Sequence, residues 1–227
     1  MMVYNKNDMF IGKSLDLYGE WCSGEFLPLD YAGKIVVDVG ANIGTHTLEF
    51  AKQAKYVFSF EPHPFHFAML TTNIVLNVHD NVAAFNVALS DQKQDKTMVI
   101  FDPQQQNNFG STELYDPGQE GVKVHTQRLD DMIKIPVDLI KIDAEGHEYE
   151  VLCGAEKLIT QHKPILYVEC DRKDQRDRVI ALIESYGYSW QWHVPWLYNP
   201  DNFYGYQENV FPGIWSEMLL CTPLLKQ

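Results

Sequence analysis

Ile35-Val36-Val37-Asp38-Val39-Gly40-Ala41-Asn42-Ile43-Gly44-Thr45 decides the fold. Five residues rich in β-branched side chains read as a buried strand, and the glycines that follow read as a turn into a helix over Thr45 to Gln53. Gly40 lets the backbone turn sharply and approach a ligand, while Gly44 permits close helix packing. The glycines fall as Gly-x-x-x-Gly, without the tighter Gly-x-Gly-x-x-Gly cradle that a dinucleotide diphosphate needs at a helix N-terminus. A second strand, Tyr56 to Phe60, ends in Glu61-Pro62. An acid at the tip of the neighbouring strand is placed to accept two hydrogen bonds from a ribose diol. A nucleoside cofactor without a diphosphate satisfies both features, and S-adenosylmethionine is the common one.

Outward from this unit the pattern repeats. His66 to Asn77 carries apolar residues at helical spacing, and Val82 to Val87 and Thr97 to Phe101 read as strands. Asp102 to Gly121, rich in Gln, Asn, Gly and Pro, reads as a long loop. Then come a strand at Asp138 to Ile142, a helix at Glu148 to Gln161, a strand at Pro164 to Glu169 and a helix at Lys173 to Tyr186. Tyr188 to His193 and Glu217 to Cys221 supply the last two strands. The alternation predicts a doubly wound α/β fold with a mostly parallel seven-stranded sheet. The final pair, joined without a helical crossover, predicts an antiparallel strand at the sheet edge. The expected organisation is one domain: a helical lead-in at 1–33, a cofactor-binding core at 34–170, and C-terminal strands and acceptor-pocket loops at 171–227.

The formal net charge is -13, from 18 Lys+Arg against 31 Asp+Glu. Proteins that track a phosphate backbone cluster their basic residues. Here Arg172, Lys173, Arg176 and Arg178 alternate with Asp171, Asp174 and Asp177, which reads as an ion-paired helix face, so no nucleic-acid partner is expected. No apolar run approaches the roughly 20 residues that span a bilayer, and Met1 to Lys13 lacks the pattern of an export signal. No membrane partner and a cytoplasmic location are therefore expected. Cys22, Cys153, Cys170 and Cys221 form no Cys-x-x-Cys pair and read as buried, reduced thiols. His63 and His66 lack a third metal ligand nearby and read as surface or helix-cap residues.

Four segments together resemble the FkbM methyltransferase family: Val36 to Gly44, Phe60-Glu61-Pro62, Asn86-Val87-Ala88-Leu89-Ser90, and Leu139-Ile140-Lys141-Ile142-Asp143-Ala144-Glu145-Gly146-His147-Glu148. Tyr18-Gly19-Glu20-Trp21, Leu152-Cys153-Gly154-Ala155 and Lys163-Pro164-Ile165-Leu166 fit as well, so the similarity covers about residues 18 to 170. His147, where the family often has a small residue, is a departure. The resemblance implies a class I methyltransferase fold and methyl transfer to a hydroxyl oxygen, often on a sugar or glycosylated metabolite. It also implies that Asp38, Gly40, Asn42 and Gly44 contact the amino-acid end of the cofactor, Glu61 its ribose, and Asn86, Val87 and Ala88 its adenine edge. Ala41, Thr45, Pro62 and Asp143 complete the expected cofactor contacts.

For the chemistry, the expected residues are Asp143, Glu145 and His147 after the fourth core strand, with Glu169 in support at the end of the fifth. Methyl transfer to an alcohol needs a group that takes the departing proton or a divalent metal that acidifies the hydroxyl. Oxygen ligands for a metal are present, but no ligand spacing demands one. The Asn/Asp-Pro-Pro-aromatic motif of amine methylation is replaced by Asp143-Ala144-Glu145-Gly146. Asn107 to Thr112 is an expected wall of the acceptor pocket, and the aromatic stretch Trp190 to Phe211, with Trp192, His193, Trp196, Tyr198, Phe203, Tyr204 and Tyr206, reads either as a second wall or as packing for the last two strands. The acceptor is expected to be a small molecule bearing carbohydrate. A Rossmann oxidoreductase and a non-catalytic nucleotide-binding module are the competing readings, and oligomeric state is left open.

Overall fold

The structure is a computed structural model describing residues 1–26, 28–118 and 120–224. Its centre is the predicted strand, β1 (Ile35–Val39), which pairs in parallel with β2 (Tyr56–Phe60) on one side and β8 (Leu139–Ile142) on the other. β3 (Val82–Phe85) extends the sheet past β2, and β9 (Ile165–Glu169) extends it past β8. β10 (Tyr188–His193) and β11 (Met218–Pro223) complete a seven-stranded sheet of order β10-β11-β9-β8-β1-β2-β3. The reversed strand is β11, antiparallel to both neighbours, and it lies one place in from the edge between β9 and β10. The crossover through α7 (Arg176–Ser185) sets β10 down one strand-width beyond β9 and leaves the slot that β11 fills.

Side chains alternate across the sheet, so the central strands feed two cores. Val37, Val39, Ile140, Ile142, Leu166 and Val168 face one side. There they meet α5 (Glu148–Gly154), α6 (Glu156–His162) and α7 through Leu152, Ile159 and Ile183. Val36, Val57, Leu139, Tyr167 and Leu220 face the other side and meet Phe50 and Ala51 of α2 (Thr45–Ala51). Each fully buried aliphatic side chain of this kind contributes about 1.5–3 kcal/mol. α3 (Pro64–Leu76) lies alongside α2, close enough that a Cβ on Gly44 would sit 2.7 Å from Leu70 Cδ1.

Three expectations are corrected. The segment Glu148 to Gln161 is two helices, broken at Ala155, because the Asp130 carboxylate of α4 (Leu129–Met132) accepts the Lys157 and Leu158 amides at 3.1 and 2.9 Å and starts α6 afresh. The long loop is interrupted by β6 (Leu114–Tyr115). With β4 (Ala88–Leu89), β5 (Asp95–Met98) and β7 (Val122–Gln127) it forms a second sheet of order β4-β7-β5-β6. The basic stretch is not one helix face: α7 begins at Arg176, leaving Arg172 on the preceding turn. Arg178 does pair with Glu150 at 2.8 Å, and Arg176 with Glu217.

The N-terminal α1 (Ile11–Tyr18) packs Ile11 and Leu15 against Ile43 and Met69 and so closes over the glycine loop. A short 3-10 helix, Ser23–Phe26, follows it. The connection from β10 to β11 narrows where Trp196 and Trp215 form an antiparallel bridge. Tyr18 ties it down, donating its hydroxyl to the Glu208 carbonyl and accepting the Val210 amide. Cys22, Cys170 and Cys221 are buried and Cys153 is half-buried. Among the described residues no helix is long and apolar enough to cross a membrane.

Candidate active site

The carboxyl ends of β1, β2, β8 and β9 open into one cavity of about 400 Å³, where ligands bind in sheets of this kind. Gly40 begins the turn after β1 with φ +74°, and a Cβ there would lie 1.7 Å from the Asp143 carbonyl oxygen. Only glycine fits, because the β1 and β8 exits touch at this point. Asn42 follows in the left-handed region at φ 49°, stabilised as its side-chain oxygen accepts the Ile43 amide at 2.8 Å.

Glu61 braces this turn. One carboxylate oxygen accepts the Asn42 amide at 2.8 Å, and the other accepts the His63 amide at 2.7 Å. The residue is 4% exposed. Burial raises its carboxyl to about 7, against the pull of those two amides. Each oxygen keeps a second lone pair, and Glu61 lines the cavity. Gly40, Ala41, Asn42, Thr45, Pro62, Val87 and Ala88 line it too, as expected.

Asp38, Gly44 and Asn86 do not. Asp38 is fully buried under the floor, accepting the Thr47 hydroxyl at 2.6 Å and facing Lys141 Nζ at 3.7 Å. Gly44 begins α2 and faces α3. Asn86 is exposed, and its amide donates to the Glu61 and Pro62 carbonyls, so it holds the β2 exit from outside. Of His63 and His66, expected at the surface or at a helix cap, His63 is the N-cap residue of α3, but both are buried and stacked with ring centroids 4.3 Å apart, and His66 lines the cavity. Burial holds the His66 imidazole down to about 3.

On the β8 and β9 side of the cavity Asp143, Glu145 and Glu169 converge, one oxygen from each lying within 4.8 Å of the others. β8 and β9 deliver them side by side through the register Ile142↔Val168. Glu145 is held in the left-handed region at φ 49°, uncommon for a non-glycine residue, at the turn before Gly146. Lys141, 2% exposed on the central strand, sets the electrostatics: its ammonium lies 3.0 Å from Asp143 and 3.7 Å from Asp38. Burial disfavours the Lys141 charge, but Asp143, Asp38 and Glu25 outweigh it and keep the amine protonated. Burial likewise pushes the Asp143 carboxyl up, yet Lys141 reverses this and holds it below the ordinary carboxylate range. Burial and the Asp143 charge raise Glu145 to about 8, and burial with the Asp143 and Glu145 charges holds Glu169 well above the ordinary range.

His147 stands outside this group. It starts α5 with its side chain turned away from the cavity, Nε2 lying 2.9 Å from the Ser90 hydroxyl and Nδ1 3.7 Å from Glu150. Its neighbour Glu148 is buried and accepts the Ala144 and Gly146 amides, bracing the turn that carries Glu145. The polar loop does reach the cavity, through Asn108, Gly110, Ser111 and Thr112. Of the aromatic stretch only Leu197 does so: Trp192 stacks on the Arg176 guanidinium at 4.8 Å, and Tyr198, Tyr206 and Phe211 surround Tyr18. Trp215, later in the same connection and with Trp196 edge-on behind it at 5.2 Å, adds an aromatic face to those of Phe10, Trp21 and Phe60.

A family model for the Methyltransferase FkbM domain matches residues 38–190, which contain the loop, Glu61 and the carboxylate cluster. The chain belongs to the FkbM methyltransferase family. Hexuronic acid methyltransferase AglP of Haloferax volcanii is 33% identical over 122 residues, covering 53% of this chain and 49% of AglP. The FkbM methyltransferase of Methylobacillus flagellatus KT has a TM-score of 0.58 at 18% identity, covering 87% of this chain and 47% of that one. The Streptococcus mutans protein SMU.1697c, solved in complex with SAH, has a TM-score of 0.52 at 11% identity, covering 89% of this chain and 96% of its own. This chain thus spans about half the length of AglP and of the Methylobacillus protein. The architecture is the class I methyltransferase fold.

Within this FkbM frame, sequence reasoning missed several residues of the cavity. Glu25 comes from the 3-10 helix, His46 from α2, Asp171 and Arg172 from the turn after β9, and Trp215 from the last connection. Lys141 had a visible signal, since a lysine between isoleucines on a strand covered on both faces must find a buried counter-charge. Nothing local marks Glu25: it is buried, raised to about 7 by burial, and reaches the cavity only because the N-terminal segment folds over β1.

Proposed function

We propose that this chain is an S-adenosylmethionine-dependent O-methyltransferase whose acceptor is a hydroxyl of a sugar or glycosylated small metabolite. The observation that carries the reading is the continuity of one cavity from the glycine loop and Glu61 to Asp143, Glu145 and Glu169. A ribose-binding acid and proton-accepting groups then serve two ligands in one space. Family membership and the Haloferax relative, named for a hexuronic acid, support the transfer and the acceptor class.

When bound, S-adenosylmethionine supplies a methyl group made electrophilic by the positively charged sulfur that bears it. Glu61 offers its free lone pairs to the ribose diol, and the tight turn at Gly40 brings backbone against the ligand. The cavity is lined by six carboxylates, Glu25, Glu61, Asp143, Glu145, Glu169 and Asp171, against the two cations Lys141 and Arg172. Asp143 is ionised, and Glu25 and Glu61, raised to about 7 by burial, ionise readily beside a positive charge, so the cavity suits a cationic ligand and disfavours a phosphate backbone. In-line displacement requires the acceptor oxygen to be held opposite the sulfur, about 3 Å from the methyl carbon. Its proton leaves as the carbon–oxygen bond forms. Asp143, kept ionised by Lys141, is the carboxylate able to take the proton, while Glu145 and Glu169, raised toward their protonated forms, orient the hydroxyl beside it.

Calorimetric titration with S-adenosylmethionine and, separately, NAD tests the cofactor, followed by transfer of a labelled methyl group to sugars, glycosides and hexuronic acids. The expected result is micromolar binding of S-adenosylmethionine alone and label in the carbohydrate fraction. Binding of NAD instead would make the chain an oxidoreductase, and cofactor binding without transfer to any acceptor would make it a binding module.

A further inference from the structure

We infer that Asp143, Glu145 and Glu169 form a site for one hard divalent cation of the Mg²⁺ or Mn²⁺ class, beside the position of the acceptor hydroxyl. Three oxygens within 4.8 Å of one another are close enough for small side-chain shifts to draw them to the edges of an octahedron, about 3 Å for metal–oxygen bonds near 2.1 Å. An all-carboxylate set selects Mg²⁺ or Mn²⁺ over zinc or copper, which prefer imidazole and thiolate. Three protein ligands leave positions open for water and an acceptor oxygen.

The cations already present pair with Asp143 and Glu145 but leave Glu169 without a partner among the described residues. Lys141 is committed to Asp38 and one oxygen of Asp143, and Arg172 to Glu113, Glu145 and Asp171. Glu169 Oε2 is enclosed and meets no hydrogen-bond donor. A second observation comes from a different element. His46 of α2 is 5% exposed, lines the same cavity, and its Nε2 has no hydrogen-bond partner. Nε2 stands 3.7 Å from the Glu25 carboxylate, which lines the cavity with Asp143. A buried neutral imidazole facing carboxylates is the acceptor that a metal-bound water requires. The ion would take the place of the protons that burial holds on Glu145 and Glu169.

The site is tested without turnover, so its failure is separable from failure of the methyltransferase reading. Protein stripped with EDTA is titrated with Mn²⁺, and free Mn²⁺ is followed by its electron paramagnetic resonance signal. The expected result is one Mn²⁺ per chain in the wild type, affinity lowered at least about tenfold in Glu169→Gln, and partial recovery in Glu169→Asp. Glu145→Gln serves as a second variant, and cooperative thermal unfolding identifies variants that fold. Wild-type protein that leaves Mn²⁺ free at millimolar concentration, with and without S-adenosylhomocysteine, overturns the site. Unaltered Mn²⁺ affinity in folded Glu169→Gln and Glu145→Gln overturns it as well. Mn²⁺ uptake without any binding of S-adenosylmethionine would leave the metal site standing and remove the proposed cofactor.

Discussion

Changing Glu61 to Gln removes a charge while keeping the volume of the side chain that closes the glycine turn. Glu61 is 4% exposed and its carboxyl is raised to about 7, so it titrates across the neutral range. A carboxyl with that pKa is about 10% ionised at pH 6 and about 90% at pH 8. Only the ionised form accepts from both ribose hydroxyls while still accepting the Asn42 and His63 amides. Wild-type affinity for S-adenosylmethionine should therefore rise by up to about tenfold from pH 6 to pH 8. A hydrogen bond to a charged group contributes roughly 1.5–3 kcal/mol. Glu61→Gln should thus bind about 10- to 150-fold more weakly at pH 8, and the gap should narrow toward pH 6. Calorimetry at pH 6, 7 and 8 reads both; the cofactor's own ionisation is common to the two proteins and cancels in the ratio. Folding carries the same signature with the opposite sense. A carboxyl raised on folding holds its proton more tightly in the native state, so its stabilising contribution is complete below about 4.5 and is lost as pH rises through about 7. Denaturant unfolding should show the wild type losing stability relative to the variant over that window. Equal affinities at pH 8, or a wild-type affinity that does not change with pH, would refute the assignment of Glu61 to the ribose.

Lys141→Met leaves Asp38 and Asp143 buried without their counter-ion, and should destabilise the fold by about 3–5 kcal/mol in urea unfolding; a loss below about 1 kcal/mol would mean that the ammonium does not hold these carboxylates. His147→Ala should lose only its hydrogen bond to Ser90, about 1 kcal/mol of stability, with kcat unchanged. A tenfold fall in kcat would return His147 to the reaction. Trp215→Ala should raise the acceptor KM several-fold, on the order of 1 kcal/mol for a lost aromatic face, whereas Trp192→Ala should affect stability alone. Equal KM in both variants would remove the aromatic wall from acceptor binding.

Local chemistry determined a large part of this protein. The run Ile35 to Thr45 specifies strand, turn and helix through branched side chains and glycine, and Glu61 and Asp143 follow because a strand end puts its next residue at the cavity rim. Val122–Gln127 was legible too, since Val124 and Thr126 turn inward between exposed Lys123 and His125, although the polar loop before it obscured the strand. Tertiary structure decided the rest. Whether β11 lies at the edge or one place inside depends on where the α7 crossover sets down β10, and strand order is not written in any single strand. The break at Ala155 is imposed by Asp130, a carboxylate from another helix, and His147 turns outward because Ser90 is there to meet it. The convergence of Glu25, His46, Lys141 and Glu169 on Asp143 joins four separate elements, the 3-10 helix, α2, β8 with its exit, and β9. A sequence names such side chains, but their charges act on one another only once the packed sheet has excluded water between them.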